Sequence, residues 1–216
     1  MLDLHFETQL PDFTLKADCT LPGQGFTAIL GPSGCGKTTL AGSIAGLKTP
    51  KRGRIAVNGR TFWSSDERIA LPVNRRGIGF VFQTHRLFPH MTVLENLHFA
   101  NQVGGRKRQV NAEELIEVLG INHLLKRYPD TLSGGESQRV ALGRAILAAE
   151  TLLIMDEPLA SLDPERKEEL LGYFEQIPKL SSLPILYITH AADEARRLAN
   201  TILTMSAGAI TDISYQ

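Results

Sequence analysis

The 216-residue sequence predicts an α/β fold, with a parallel-sheet core, an N-terminal antiparallel β subdomain and an inserted α-helical subdomain. Three observations predict it. Short apolar runs fit for buried strands recur at 26–30, 77–82, 151–155 and 184–189, and runs of that kind belong in a sheet covered on both faces. Residues 2–7 and 13–19 instead alternate apolar with polar side chains, as half-exposed antiparallel strands do. Between about 84 and 149 the strand character gives way to helical spacing.

Along the N-terminal part, Leu2, Leu4 and Phe6 alternate with Asp3, His5 and Glu7, and Phe13, Leu15, Ala17 and Cys19 alternate with polar residues. Phe26–Leu30 reads as a buried strand. A helix is expected from Lys37 to Ala45, stopping at Gly46, followed by a short strand at Arg54–Val57 and an Asn58-Gly59 turn. Residues 60–76 read as polar and irregular, and Gly77–Phe82 as a strand ending at Gln83. In the middle, 92–100 and 111–119 have helical spacing. Asn111 with Glu114 makes a helix start and Gly120 a stop. Gly104-Gly105-Arg106-Lys107-Arg108 reads as a flexible, solvated basic turn. Ser133, with Glu136 three residues on, opens a long helix to about Ala149. Thr151–Met155 is a continuous apolar strand, Asp163-Pro164 starts a helix, Pro184–Thr189 is a strand, Ala192–Ala199 a helix, and Thr201–Met205 the last strand.

Composition narrows the classes. The chain is 43% hydrophobic and 21% charged with zero net charge, so no basic field points to nucleic acid. No stretch approaches the roughly 18–20 apolar residues of a membrane span, and the acidic start (Asp3, Glu7) does not resemble a signal peptide. Cys19 and Cys35 are expected as reduced thiols.

The chemistry begins at Gly31-Pro32-Ser33-Gly34-Cys35-Gly36-Lys37-Thr38-Thr39, which fits G-x-x-x-x-G-K-[ST] between a strand and a helix. Glycines at 31, 34 and 36 let backbone N–H groups turn inward around a triphosphate. Lys37 supplies charge for the outer phosphates and Thr38 a hydroxyl for Mg²⁺, so ATP or GTP is the expected ligand of a P-loop NTPase core. Leu152-Leu153-Ile154-Met155 runs into Asp156-Glu157, which puts two carboxylates at the ligand-binding end of a buried strand. Asp156 suits the Mg²⁺ shell, and Glu157 suits polarisation of an attacking water. Leu132-Ser133-Gly134-Gly135-Glu136 opens a helix with uncrowded amides, an anion site.

In this order the motifs closely resemble those of the ATP-binding-cassette (ABC) ATPases, whose signature Leu-Ser-Gly-Gly-Gln is met here with Glu136 in place of Gln. The resemblance covers nearly the whole chain as one domain, with the nucleotide-binding core at about 1–83 and 150–216 and the helical subdomain at 84–149. It implies that Gln83 is the glutamine-loop residue linking Mg²⁺ and water to the membrane subunit. It likewise makes Ser161-Leu162-Asp163 the D-loop, and His190 the histidine at the terminal phosphate. It also implies a homodimer with two ATP clamped between the copies, each signature completing the other copy's site. The family usually stacks adenine on an aromatic residue. Phe6 and Phe13 stand nearest, alternation points both toward the core, and an aliphatic contact is the alternative.

Arg86-Leu87-Phe88-Pro89-His90-Met91-Thr92-Val93-Leu94-Glu95-Asn96-Leu97 resembles the segment through which importer cassettes meet their membrane permease. A non-transport cassette would be expected to carry coiled-coil insertions or tandem cassettes. A regulatory module without turnover would not need Glu157 and His190. Within importers, Leu21–Ile29, Leu71–Arg76 and Arg86–His90 resemble the molybdate subfamily, which implies an extracytoplasmic solute-binding protein as indirect partner and a peripheral place on the cytoplasmic face of the inner membrane. Molybdate cassettes typically add a C-terminal oxyanion-binding domain, for which a sequence ending at Gln216 has no room. A short variant, a truncated chain and an importer of thiamine, sulfate or another small solute therefore stay open.

Overall fold

The computed structural model describes residues 1–11, 13–82, 86–102, 110–160 and 162–216. Gln83, Ser161 and the basic turn at 104–108 lie outside them. The chain opens with β1 (Leu2–Gln9) and β2 (Thr14–Leu21), an antiparallel pair in which Leu2 faces Leu21 and Gln9 faces Thr14. β3 (Gly25–Leu30) leads through the glycine-rich loop to α1 (Lys37–Ala45), which stops at left-handed Gly46 as the sequence predicts. β4 (Arg52–Val57) returns to pair with β1.

Residues 60–76 depart from the expected irregular segment. β5 (Arg60–Ser64) pairs with β4 and β6 (Ile69–Ala70) pairs with β5. Asn58 and Gly59 both take positive φ, 48° and 79°, the turn that closes a tight hairpin. Ile55 faces Trp63 while Ala56 faces Thr61, so the pairing skips Phe62. The bulge lets the consecutive aromatics Phe62 and Trp63 both be buried, which hid the two-residue period.

β7 (Ile78–Val81) then enters the sheet, followed by α2 (Val93–Gln102), α3 (Ala112–Val118) and α4 (Gly134–Ala148). Asn111 accepts from the N–H groups of Glu113 and Glu114, the expected cap. β8 (Leu152–Asp156), α5 (Pro164–Phe174), α6 (Ile177–Leu180), β9 (Pro184–Ile188), α7 (Ala192–Leu198) and β10 (Thr201–Ser206) complete the core. β10 is not the last strand. Ala207 and Gly208, with φ of 47° and 80°, turn the chain into β11 (Ala209–Tyr215). Ala-Gly is a weaker turn signal than Asn-Gly, and most of β11 is exposed, so alternation did not mark it.

Among the described residues the strands form one sheet in the order β6-β5-β4-β1-β2-β11-β10-β3-β9-β8-β7. β10, β3, β9, β8 and β7 are parallel neighbours, and the unforeseen β11 joins them to the antiparallel wing through a parallel contact with β2. The central strands explain their unbroken apolar runs. Leu153 and Met155 of β8, with Ile185 and Tyr187 of β9, face the core shared with α2, α3 and α4. Leu152 and Ile154, with Leu186 and Ile188, face the core shared with α1, β1 and β2. Each strand is therefore buried on both sides. Gly79 of β7 lets α4 approach closely, since a Cβ there would stand 2.0 Å from the Ala145 carbonyl oxygen. Both cysteines are free and buried, as expected, and burial pushes the Cys19 thiol up to about 12.

Candidate functional site

Parallel strands deliver their C-terminal ends to one edge of the sheet, and there β3, β8 and β9 present the predicted residues. After β3 the chain must wrap tightly. A Cβ on Gly31 would stand 2.3 Å from the Met205 carbonyl oxygen, and Gly36 enters α1 at φ 109°. The N-terminus of α1 has neither a side-chain cap nor an acidic residue in its first turn, so its amide donors stay available to an anion. Lys37 is buried at the loop's inner side, its Nζ donating to the carbonyls of Gly31 at 2.8 Å and Pro32 at 3.1 Å. The Thr38 hydroxyl donates to Asp156 Oδ1 at 3.3 Å, which joins the loop to the end of β8.

Asp156 is buried, and burial raises its pKa against the lowering effect of Thr38; the adjacent Glu157 raises it further. Glu157 takes the left-handed conformation at φ 48°, and its backbone N–H donates to the Ile188 carbonyl at 2.9 Å. A non-glycine residue there costs about 1–2 kcal/mol, held by the β8–β9 pairing. His190 follows β9, and its Nδ1 lies 3.8 Å from Glu157 Oε1. A cavity of about 230 Å³ beside the loop is lined by Leu10, Phe13, Gly36, Lys37, Thr38 and Glu157 among others. Phe6 is buried, as alternation predicts, but Phe13 is only half-buried and faces this cavity, because it precedes β2 and packs against Gly36 and Gly208. A larger hollow of about 430 Å³ on the antiparallel wing draws no residue from these strand ends. Two of its contacts are Arg52 with Glu7 at 2.7 Å and His5 with Asp18 at 2.6 Å.

The segment 132–136 is built as predicted but stands apart. Ser133 caps α4, accepting from the Glu136 N–H at 3.3 Å, while the Glu136 carboxylate accepts from the Ser133 N–H at 2.7 Å. That backbone bond, with Arg127 and Arg139 nearby, holds the Glu136 carboxyl below the usual range. Ser133 and Gly134 are exposed, and residues 132–136 line neither the loop cavity nor the hollow beside His190.

A third constellation lies on the helical side. Phe80, Phe82, Phe88 and Phe99 line a groove of about 310 Å³ with Arg86 and Arg144, whose guanidinium groups lie 4.2 Å and 5.0 Å from the Phe82 and Phe88 ring centres. Buried Asn96 shapes its rim, bonding the carbonyls of Phe88, Met91 and Thr92 and the N–H of Phe88.

The family profile described as ABC transporter matches residues 16–160. The chain belongs to the ABC transporter family. Solved ABC cassettes share its fold. The MJ0796 cassette, described as a dimer in a post-hydrolysis state bound to ADP and Pi, is 23% identical over 100% of this chain and 98% of its own, with a TM-score of 0.79. The cbiO1 protein of Clostridium perfringens, described as part of the ABC transporter complex cbiONQ, is 25% identical over 99% of this chain and 88% of its own, with a TM-score of 0.82. Among curated relatives, the molybdenum import ATP-binding protein ModC of Yersinia pestis bv. Antiqua (strain Antiqua) is 49% identical over 97% of this chain and 58% of that protein. Its namesake from Methylococcus capsulatus is 46% identical over 97% and 59%. The chain thus spans about three fifths of the length of these relatives.

One part of this cassette's site escaped the sequence reading. Glu194 is buried behind His190, and its carboxylate accepts from the hydroxyls of Tyr187 and Thr189, each at 2.7 Å, and pairs with Lys167 of α5. Two hydroxyl residues two apart at the end of an apolar strand, followed by a glutamate in the next helix's first turn, were the available signal.

Proposed function

We propose that this cassette is the ATP-hydrolysing subunit of an importer, working as two copies around two MgATP and coupled to a membrane permease, with molybdate as cargo. The observation that carries the reading is the gathering of Lys37, Thr38, Asp156, Glu157 and His190 at the ends of β3, β8 and β9. The loop N–H groups and Lys37 would bind the phosphates, with Phe13 and Leu10 against the base. Thr38 and Asp156 are hard oxygen donors 3.3 Å apart and fit Mg²⁺. When bound, Mg²⁺ neutralises charge on the phosphates. Glu157 accepts the proton of the attacking water, and His190 beside it contacts the terminal phosphate. Gln83, outside the described residues, would serve the Mg²⁺ and the water as the glutamine-loop residue that the motif order implies.

Ser133 and Gly134 at the start of α4 are exposed in their own chain, which supports their use by a second copy. The helical subdomain at 84–149 would carry that signature, and the D-loop Ser161-Leu162-Asp163, which belongs to the core, would meet the partner copy. The aromatic and cationic groove fits a helix of the permease, with apolar contact and charge-assisted bonds at one place. Among the described residues no helix is long and apolar enough to cross a membrane; the peripheral place on the cytoplasmic face is part of the importer reading. The molybdenum import proteins at 46–49% identity support the cargo.

Glu157→Gln is expected to bind MgATP, lose at least about 100-fold in turnover and accumulate as a nucleotide-bound dimer; steady-state hydrolysis at the unsubstituted rate removes Glu157 from its role. ATP-driven uptake into vesicles with the cognate permease tests the cargo, and uptake of sulfate or thiamine without molybdate would redirect it.

A further inference from the structure

His190 follows β9, its side chain 61% exposed and its Nδ1 3.8 Å from Glu157 Oε1. Its two neighbours in sequence are held firmly. Thr189 is buried, its N–H donates to the Ile29 carbonyl at 3.3 Å, and its hydroxyl donates to Glu194 at 2.7 Å while accepting from the Ala191 N–H at 3.1 Å. Glu194 therefore pins the residues on both sides of His190 through one hydroxyl. The same carboxylate is paired with Lys167, one turn into α5, whose N–H bonds the Asp163 carbonyl. A hollow of about 90 Å³ touches Glu157, Leu162, Lys167, Thr189, His190 and Glu194, so all three segments meet there.

We propose that Glu194, acting through Thr189, is a positioning residue that sets His190 against Glu157 and, through Lys167, ties that setting to the start of α5. The inference rests on the hydrolytic reading above. Carboxylates buried at 5% exposure are rare unless fully bonded, and here Oε2 accepts from both Tyr187 and Thr189 while Oε1 pairs with Lys167. Tyr187 bonds the same carboxylate oxygen from within the strand, two residues before Thr189.

The test compares three variants of the full chain by steady-state ATP hydrolysis, ATP binding and melting. Thr189→Val keeps the shape and removes the link. It is expected to lower kcat about tenfold with KM for ATP within about twofold, and to add nothing further when combined with His190→Ala. Tyr187→Phe removes a bond to the same carboxylate and is expected to lower the melting temperature while leaving kcat within about twofold. Equal kcat losses in Thr189→Val and Tyr187→Phe, or a Thr189→Val loss that multiplies with that of His190→Ala, would make the network merely structural and overturn the proposal. An unsubstituted chain that binds no MgATP would overturn the hydrolytic reading itself. Turnover lost in His190→Ala but unchanged in Thr189→Val would overturn the positioning alone.

Discussion

Two helices of this cassette start beside glycines, and their first turns are finished in opposite ways. The start of α1 has no side-chain cap, no acid in its first turn, and a lysine folded over its loop. The start of α4 is closed by its own side chains, with Ser133 and Glu136 bonding each other's backbone N–H groups, and a carboxylate sits where an anion would. In the proposed reading the first binds phosphates within its own chain. The second is a cap in its own chain and, in that reading, meets the phosphates of a second copy. The uncapped start is thus proposed for binding in cis and the capped, exposed one for an interface.

The largest expected effect separates these two levels. Ser133→Arg puts a long cation over the amides of α4 and should cut steady-state hydrolysis by at least about 100-fold while single-chain ATP affinity stays within about twofold by calorimetry. Loss of both together would merge the two sites and break the comparison. Lys37→Ala acts at the other start. A charge-assisted bond is worth about 1.5–3 kcal/mol, so MgATP affinity should fall roughly ten- to a hundred-fold, whether or not the chain is dimeric.

Asp156→Asn sharpens the account of the cis site. Burial raises the Asp156 pKa above its ordinary 3.8, so the stability this group contributes is fully present below that value and is lost as pH rises through the raised one. Near neutral pH the folded chain carries a buried charge at a cost. Asparagine removes the cost, so the melting temperature at pH 7 should rise and the difference from the unsubstituted chain should close in acid. Turnover should fall about tenfold or more as an oxygen ligand loses its charge. A variant that melts lower at pH 7 would show that the Thr38 bond outweighs burial.

Local chemistry made some elements legible in the sequence and packing hid others. α1 keeps its expected bounds because glycines start and stop it, and α4 is announced by Ser133 and Glu136. The order of loop, carboxylates and histidine could be read because each follows an apolar strand. β5 was hidden by the Phe62 bulge and β11 by exposure. Arg76 reads as one more loop cation, yet it is buried. Its guanidinium bonds the carbonyls of Ser43 at 3.1 Å and Ile44 at 2.6 Å at the end of α1, and burial lowers its pKa to about 10. Such a partner is set by tertiary approach, and no spacing along the chain reveals it.

The smallest effect concerns the residue that departs from the family's signature. Glu136→Gln keeps an oxygen for the Ser133 N–H, so the cap survives, and removes the negative charge. An acid at a helix start is worth about 0.3–1 kcal/mol where exposed, and about 1 kcal/mol moves the melting point of a chain this size by about 2–4 °C. A drop of about that size or less is expected. The gain appears at the interface, because an incoming phosphate no longer meets a carboxylate. The nearby Arg127 and Arg139 already offset part of that repulsion. ATP-driven dimerisation should therefore tighten only a few-fold, more at low salt than at high salt, where charges are screened beyond about 10 Å at 0.1 M. Sedimentation with the non-hydrolysing Glu157→Gln background measures it directly. Identical dimerisation at both salts would place Glu136 beyond reach of the phosphates, leaving the carboxylate as a cap alone.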